Sequence, residues 1–308
     1  MGQGGEPGRV GVPDIVVVGA ACRDIDESDP RGWRLGGGVT YGALACARLG
    51  IRTGALVGVD SFVGEAWELD LLVDAGVDLV RVPLPSGPVF HNHERPEGRI
   101  QICLDPGTQL PLEAVPPAWR AAPAWMMALV ANELSDAWAD QPSADACVAL
   151  GWQGILRVLV AGERVGHLTP GPSALLARAD IVGVSRHDIE GHLVWTEILG
   201  WLRPGAEVLM TAGPLGGMLL RRGPDGRITG RDYPPVPARV ELDATGAGDV
   251  TLAAFVSARI AGGPDAMLRG LDLRLAATVG SLIVEGPGLD AVPTLAAVRR
   301  RIRAGRHP

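Results

Sequence analysis

The stretch Asp243-Ala-Thr-Gly-Ala-Gly-Asp249 runs directly into the apolar segment VTLAAFVSARI, and so sets two glycines and two carboxylates at the mouth of a long helix. Gly246 and Gly248 let the backbone turn tightly and expose consecutive N–H groups at the helix N-terminus. Groups so aligned concentrate positive potential and bind developing negative charge. Asp249 stands beside that hole, where it could take a proton from an attacking hydroxyl. The same residues also make an ordinary Asp-capped helix after a glycine turn. Taken alone, the segment supports both readings equally.

Outward from this loop the chain alternates short apolar runs with helical periods. Residues 14–20 (DIVVVGA) read as a buried parallel strand ending in small residues. A polar stretch, RDIDESDPRGW, follows, and Leu35-Gly36-Gly37-Gly38 then opens a helix that Gly50 closes. Residues 53–59 read as a strand and 62–75 as a helix stopped by Gly76. Apolar runs at 124–130, 146–150, 181–184 and 208–210 continue the pattern, with a short helical piece near 133–139 and a hairpin from 217 to 233. The last third is helical over 245–261, 266–285 and 295–302. This order predicts an α/β fold, a doubly wound parallel sheet flanked by helices. Within it, VDLVRV, PVFHNH and RIQICL, between residues 77 and 104, read as an inserted small antiparallel β-sheet. Residues 1–13 read as a flexible leader, leaving 14–308 as one domain.

Composition narrows the chemistry. The 308 residues are 47% hydrophobic, enough for a sizeable core. The formal charge is -7, which lacks the footprint of a nucleic-acid binder. All 28 basic residues are Arg. A Schiff-base lysine and a Walker-type P-loop lysine are therefore excluded. Any triphosphate must be held by backbone N–H groups, helix ends, metal or Arg. Cys22, Cys46, Cys103 and Cys147 form no C-x-x-C pair, which argues for buried thiols in a reducing compartment. The Gly- and Pro-rich N-terminus has no apolar core of a signal peptide, and no apolar run reaches membrane-spanning length. The cytoplasm is the expected setting, with no nucleic-acid or membrane partner.

DATGAGD followed by a helix resembles the second signature of the ribokinase-like (PfkB) carbohydrate kinases. The first signature is similar to Gly36-Gly37-Gly38-Val-Thr40-Tyr41-Gly-Ala-Leu-Ala-Cys-Ala-Arg-Leu-Gly50. Thr211-Ala-Gly213-Pro-Leu-Gly216-Gly217 follows a strand as the family's nucleotide loop does. Asp24 lies where the family keeps a substrate-binding Asp, and Gly58-Val-Asp60-Ser-Phe-Val-Gly64 matches its G-x-D-x-x-x-G turn. Five features agree in order over residues 14–305, which makes a chance match improbable.

The resemblance implies a kinase that uses ATP and Mg²⁺ to phosphorylate a hydroxyl of a small acceptor: a sugar, sugar acid, polyol or nucleoside. Asp249 would be the general base, and the N–H groups of Gly246, Ala247 and Gly248 the anion hole. Asp24, Gly36 and Gly37 would contact acceptor hydroxyls, and Thr211, Gly213 and Gly216 the nucleotide. Asp243 and Thr245 match positions that help bind an activating monovalent cation such as K⁺. The inserted strands at 77–104 would be a lid, whose exposed edge could pair two copies into a homodimer.

Two positions depart from the family pattern. Tyr41 stands where the family usually has Asn, replacing a donor and an acceptor by one hydroxyl and a flat ring. The N-x-x-E motif that organises water around the metal is represented by Ser185-Arg-His-Asp188, with Glu190 nearby. The acceptor is therefore expected to be atypical, chosen by Tyr41 with the lid around His91, His93 and Arg95. Alternation along PVFHNH puts His91 and His93 opposite Phe90 and Asn92, and the histidine face is expected to meet the substrate. Should Tyr41 point into the core, Thr40 would make the acceptor contact instead.

Other features read as structural. His91 and His93 could share a metal, but no third ligand follows at motif spacing. Most Trp residues fall in apolar runs, and the Arg run at 299–303 suits a solvated helix end. No G-x-S-x-G elbow occurs, and G-A-A-C-R-D after the first strand is not a dinucleotide fingerprint. The alternative from another class is a metabolite sensor on the kinase fold with little turnover.

Overall fold

The computed structural model describes residues 11–93, 100–189, 195–268 and 270–305. Most of the expected leader, together with Arg95 and Glu190, lies outside them. Strand β1 (Ile15–Ala20) is buried along its whole length, as a strand covered on both faces must be. Its side chains alternate between two cores: Ile15 and Val17 join one apolar cluster, Val16 and Val18 the other.

The chain continues through β2 (Cys22–Ile25), β3 (Trp33–Gly36), α1 (Gly38–Arg48), β4 (Thr53–Val59), α2 (Glu68–Asp74) and β5 (Asp78–Pro83). Strands β6 (Val89–His93), β7 (Ile100–Asp105), β8 (Ala124–Ala128) and β9 (Cys147–Gly151) follow. Then come the short pair β10 (Arg157–Val158) and β11 (Gly166–His167), α3 (Ala174–Arg178), β12 (Ile181–Ser185), α4 (Arg186–Ile189) and α5 (Trp195–Trp201). The hairpin-forming β13 (Glu207–Thr211), β14 (Gly217–Arg222) and β15 (Ile228–Tyr233) precede α6 (Ala247–Leu268), α7 (Leu271–Ile283) and α8 (Leu295–Ala304).

Nine strands form one sheet in the order β15-β14-β13-β12-β9-β8-β1-β4-β5. It is parallel from β13 to β5 and antiparallel at β14 and β15. One core packs α1, α6, α7 and α8 on one face; the other packs α3 and α5 opposite. Trp119, Trp125, Trp138 and Trp152 are wholly buried, so these indoles build core. The expected doubly wound sheet is therefore present. Among the described residues no helix is long and apolar enough to cross a membrane.

The small sheet expected as a lid differs from expectation in its boundaries. VDLVRV does not belong to it: β5 pairs in parallel with β4 from Gly54↔Asp78 to Val59↔Pro83. The reason is the βαβ rule, since a strand following a helix returns beside its predecessor, and Pro83 is tolerated on an edge strand. The four-stranded lid sheet has the order β3-β2-β6-β7 and takes two strands from the polar stretch after β1. It is mixed rather than antiparallel, because β2 and β6 run in parallel. The helix expected over 62–75 begins only at Glu68; Asp60 Oδ1 accepts the N–H groups of Phe62 and Val63 and holds a separate short turn before it.

Candidate active site

A cavity of about 650 Å³ opens above the carboxyl ends of β1, β8, β9, β12 and β13, where open α/β sheets bind ligands. The four-stranded small sheet and the start of α6 both contribute to its lining. Asp243 Oδ1 accepts the Thr245 N–H (2.9 Å) and so folds the loop before α6 back on itself. Gly246 follows in the left-handed region (φ +75°), which a side chain would strain. The N–H groups of Gly246 and Gly248 stand at the first turn of α6, where a helix has no internal partner for them. Ala247 differs from expectation: its N–H donates to the Ala244 carbonyl (3.2 Å) and is already engaged within the turn.

The glycines that open α1 make room for two carboxylates. A Cβ on Gly38 would stand 2.7 Å from Asp249 Oδ1, and one on Gly36 would strike the Asp24 carboxylate. Gly37 has φ +106° and passes tightly against the Ala20 carbonyl. Asp24 and Asp249 thereby reach the cavity from β2 and from α6. Burial, opposed by Arg157 and reinforced by Asp188, pushes the Asp249 carboxyl up to about 6. It is still ionised at neutral pH and poised to accept a proton.

Asn92 Nδ2 donates to Asp24 Oδ1 (3.1 Å), and Gln101 Nε2 donates to Asn92 Oδ1 (2.8 Å). The cavity face of β6 is thus the Phe90 and Asn92 face, a correction to the histidine face. Pairing with β2 places Phe90 opposite Asp24, and the two-residue strand period turns His91 and His93 outward. Their rings lie 4.0 Å apart, outside the cavity lining. Among the described residues no cluster of three or more His, Cys, Asp or Glu could hold a metal.

Tyr41 is buried and lines the cavity floor, its ring against Gly246. Burial, with Asp243 and Asp24 adding to it, raises its phenol far above the usual range. Thr40 is buried and not among the residues lining the cavity, and its hydroxyl turns back to donate to the Gly37 carbonyl (2.7 Å).

At the other end of the cavity stand Thr211, Gly213, Gly216, Ser185 and Asp188. Asp188 Oδ2 accepts the Ser185 N–H (3.2 Å), and Gln153 Nε2 lies 3.4 Å from Oδ1. Pro235, Val236, Pro237, Ala277 and Val284 give this end an apolar surface. Sequence patterning missed Gln101, Gln153 and Arg157 and set Asn92 on the face not favoured; they lie on polar strands or irregular segments.

The expected cation site does not fit the carboxylate assigned to it. Asp243 Oδ1 takes the Thr245 N–H, while Oδ2 faces the Gly288 N–H (3.3 Å) and Arg34 Nη1 (3.5 Å). Burial alone would raise this carboxyl, but these donors together hold it below the usual range. A guanidinium already stands where a monovalent cation would be drawn.

No protein-family model matches the sequence, and no curated protein is similar to it at the sequence level. Solved structures do match. The chain is similar to a fructokinase with bound ATP from Xylella fastidiosa, with a TM-score of 0.73 and 20% identity over 95% of this chain and 99% of that one. It is similar to Arabidopsis thaliana ribokinase complexed with ribose and ATP (0.64, 20%, covering 95% and 99%). A pyrophosphate-dependent kinase in the ribokinase family, complexed with a pyrophosphate analog and myo-inositol, also matches (0.70, 19%, covering 94% and 99%). The chain has the ribokinase-like fold.

Proposed function

We propose that this protein transfers the γ-phosphoryl group of ATP to a hydroxyl of a small sugar-like acceptor. One observation carries the reading: a single cavity wall holds Asp249 beside the N–H groups of Gly246 and Gly248, with Asp24 facing the same space. The acceptor binds under the lid, its hydroxyls meeting Asp24 and Asn92. Asp249 accepts the proton of the attacking hydroxyl, and the two glycine N–H groups hold the charge that builds on the transferring phosphoryl oxygens. Catalysis is then mostly positioning and electrostatics.

The donor lies toward Thr211, Gly213 and Gly216. The apolar surface of Pro235, Val236 and Val284 suits a purine ring, which pyrophosphate lacks, so the nucleotide is the better donor. Mg²⁺ fits this cavity through one carboxylate, Asp188, with donor phosphates completing its shell, the usual way this ion is held beside phosphates. When bound it would neutralise phosphate charge. Asp188 and Gln153 would orient its water.

The test is ADP formation by the purified chain across sugars, sugar acids, polyols and nucleosides, with Asp249→Asn as control. A protein that only senses metabolites would bind an acceptor and form no ADP with any of them.

A further inference from the structure

Among the described residues lining the cavity Arg157 is the one Arg, and the chain holds no Lys. It begins β10, directly after the turn that leaves β9. Nη1 donates to the Val130 carbonyl (2.9 Å), and the guanidinium carbon lies 5.4 Å from the centre of the Phe90 ring. Both partners belong to the apolar cluster beneath the lid, with Cys22 and Cys103. No carboxylate stands within ion-pair distance of Arg157 among the described residues. Asp188, Asp24 and Asp249 act on it only from farther away, and burial works against its charge. A guanidinium fixed in a cavity wall, with one of five N–H groups spent on a carbonyl, has donors left for an anionic partner.

We propose that Arg157 binds a carboxylate of the acceptor, so that the substrate is a polyhydroxy acid rather than a neutral sugar. The proposal rests on the kinase reading above and names the acceptor class within it. Its basis is position: the contacts of Arg157 are the Val130 carbonyl and the Phe90 ring, on the side of the cavity where the acceptor is proposed to bind, and Asp188 acts on it without forming an ion pair. An acceptor with its carboxylate on Arg157 turns its hydroxyls toward Asp24 and Asp249, which would repel the acid end. Tyr41 at the floor, with fewer hydrogen-bonding groups than Asn, suits an acceptor recognised at one end by charge.

The experiment compares matched pairs that differ only in a carboxylate: ribonate with ribitol, and gluconate with glucitol. Calorimetric titration without ATP reads affinity independently of turnover. At least one aldonate should bind about ten- to a hundredfold more tightly than its polyol, as a charge-assisted hydrogen bond allows. Arg157→Gln should abolish that preference and Arg157→Lys keep part of it. Equal affinity within both pairs, or an unchanged aldonate preference in Arg157→Gln, overturns the proposal. So does a kcat lost equally for every acceptor at unchanged KM, because Arg157 would then act on the phosphoryl group. Failure of the kinase reading has a separate signature, aldonate binding without ADP formation.

Discussion

The ring of Tyr41 occupies the space that any side chain at Gly246 would need. The cavity floor and the Gly246 loop are therefore one packed unit: α1 supplies the ring and the loop before α6 lies upon it. Gly246→Ala meets two obstacles, the ring and a left-handed backbone (φ +75°). We expect kcat to fall about 10²–10³-fold, the usual cost of a misplaced oxyanion donor, with KM for ATP nearly unchanged. Steady-state kinetics on the folded variant check this, and near-normal kcat would remove the loop from the mechanism.

Tyr41→Asn should shift relative kcat/KM among acceptors and leave KM for ATP alone. The lost ring also leaves a void, so thermal stability should drop as for other large-to-small core changes. A drop in stability with an unaltered acceptor profile would make Tyr41 a packing residue only.

Asp249→Asn should lower kcat by about 10²–10⁴-fold, the range for a lost general base. In the parent protein kcat/KM should decline as pH falls through about 6, where the carboxyl gains its proton. Stability moves the opposite way. The folded-state value lies above the ordinary 3.8, so this group's contribution is fully present below 3.8 and is lost as pH rises through about 6. The Asn variant should thus be more stable at pH 8, by about 3 kcal/mol, and equally stable near pH 3.5. Denaturant midpoints at the two pH values decide it.

On the lid, Asn92→Ala should raise acceptor KM about tenfold or more by cutting the hydrogen bond to Asp24. His91→Ala and His93→Ala should stay within a few-fold. Acceptor titrations that ranked the three variants in the reverse order would restore the histidine face.

Arg34 beside Asp243 predicts equal activity in K⁺ and in tetramethylammonium at matched ionic strength. Arg34→Ala, which frees the carboxylate, should bring out a K⁺ response. Strong K⁺ activation of the parent protein would show that a cation binds despite the guanidinium.

The central sheet was legible because its strands are buried on both faces and so appear as unbroken apolar runs, as at Ile15, Val16, Val17 and Val18. The loop before α6 was legible because Gly246 and Gly248 answer a backbone demand that few other residues meet. The lid was harder to read. Strand β2, CRDI, turns Asp24 to the cavity and carries no apolar run. Its membership comes from pairing with Trp33–Gly36 and Val89–His93, which spacing along the chain does not reveal. Arg157 escaped notice for a similar reason, since its surroundings are assembled from Val130 and Phe90, both remote in sequence.

Arg34 bonds Asp26 in the turn after β2 as well as Asp243, which lies 209 residues farther along the chain. The pair to Asp243 is partly exposed and adds little stability, so its effect is one of communication. Arg34 thereby ties the β2–β3 hairpin to the loop before α6, the loop that in the proposed reaction would hold the phosphoryl group. If the protein transfers phosphoryl groups as proposed, such a wire would keep donor from water until an acceptor is in place. Cutting the wire with Arg34→Ala should raise acceptor-free ATP hydrolysis relative to transfer, and an unchanged ratio would show that lid and loop act independently.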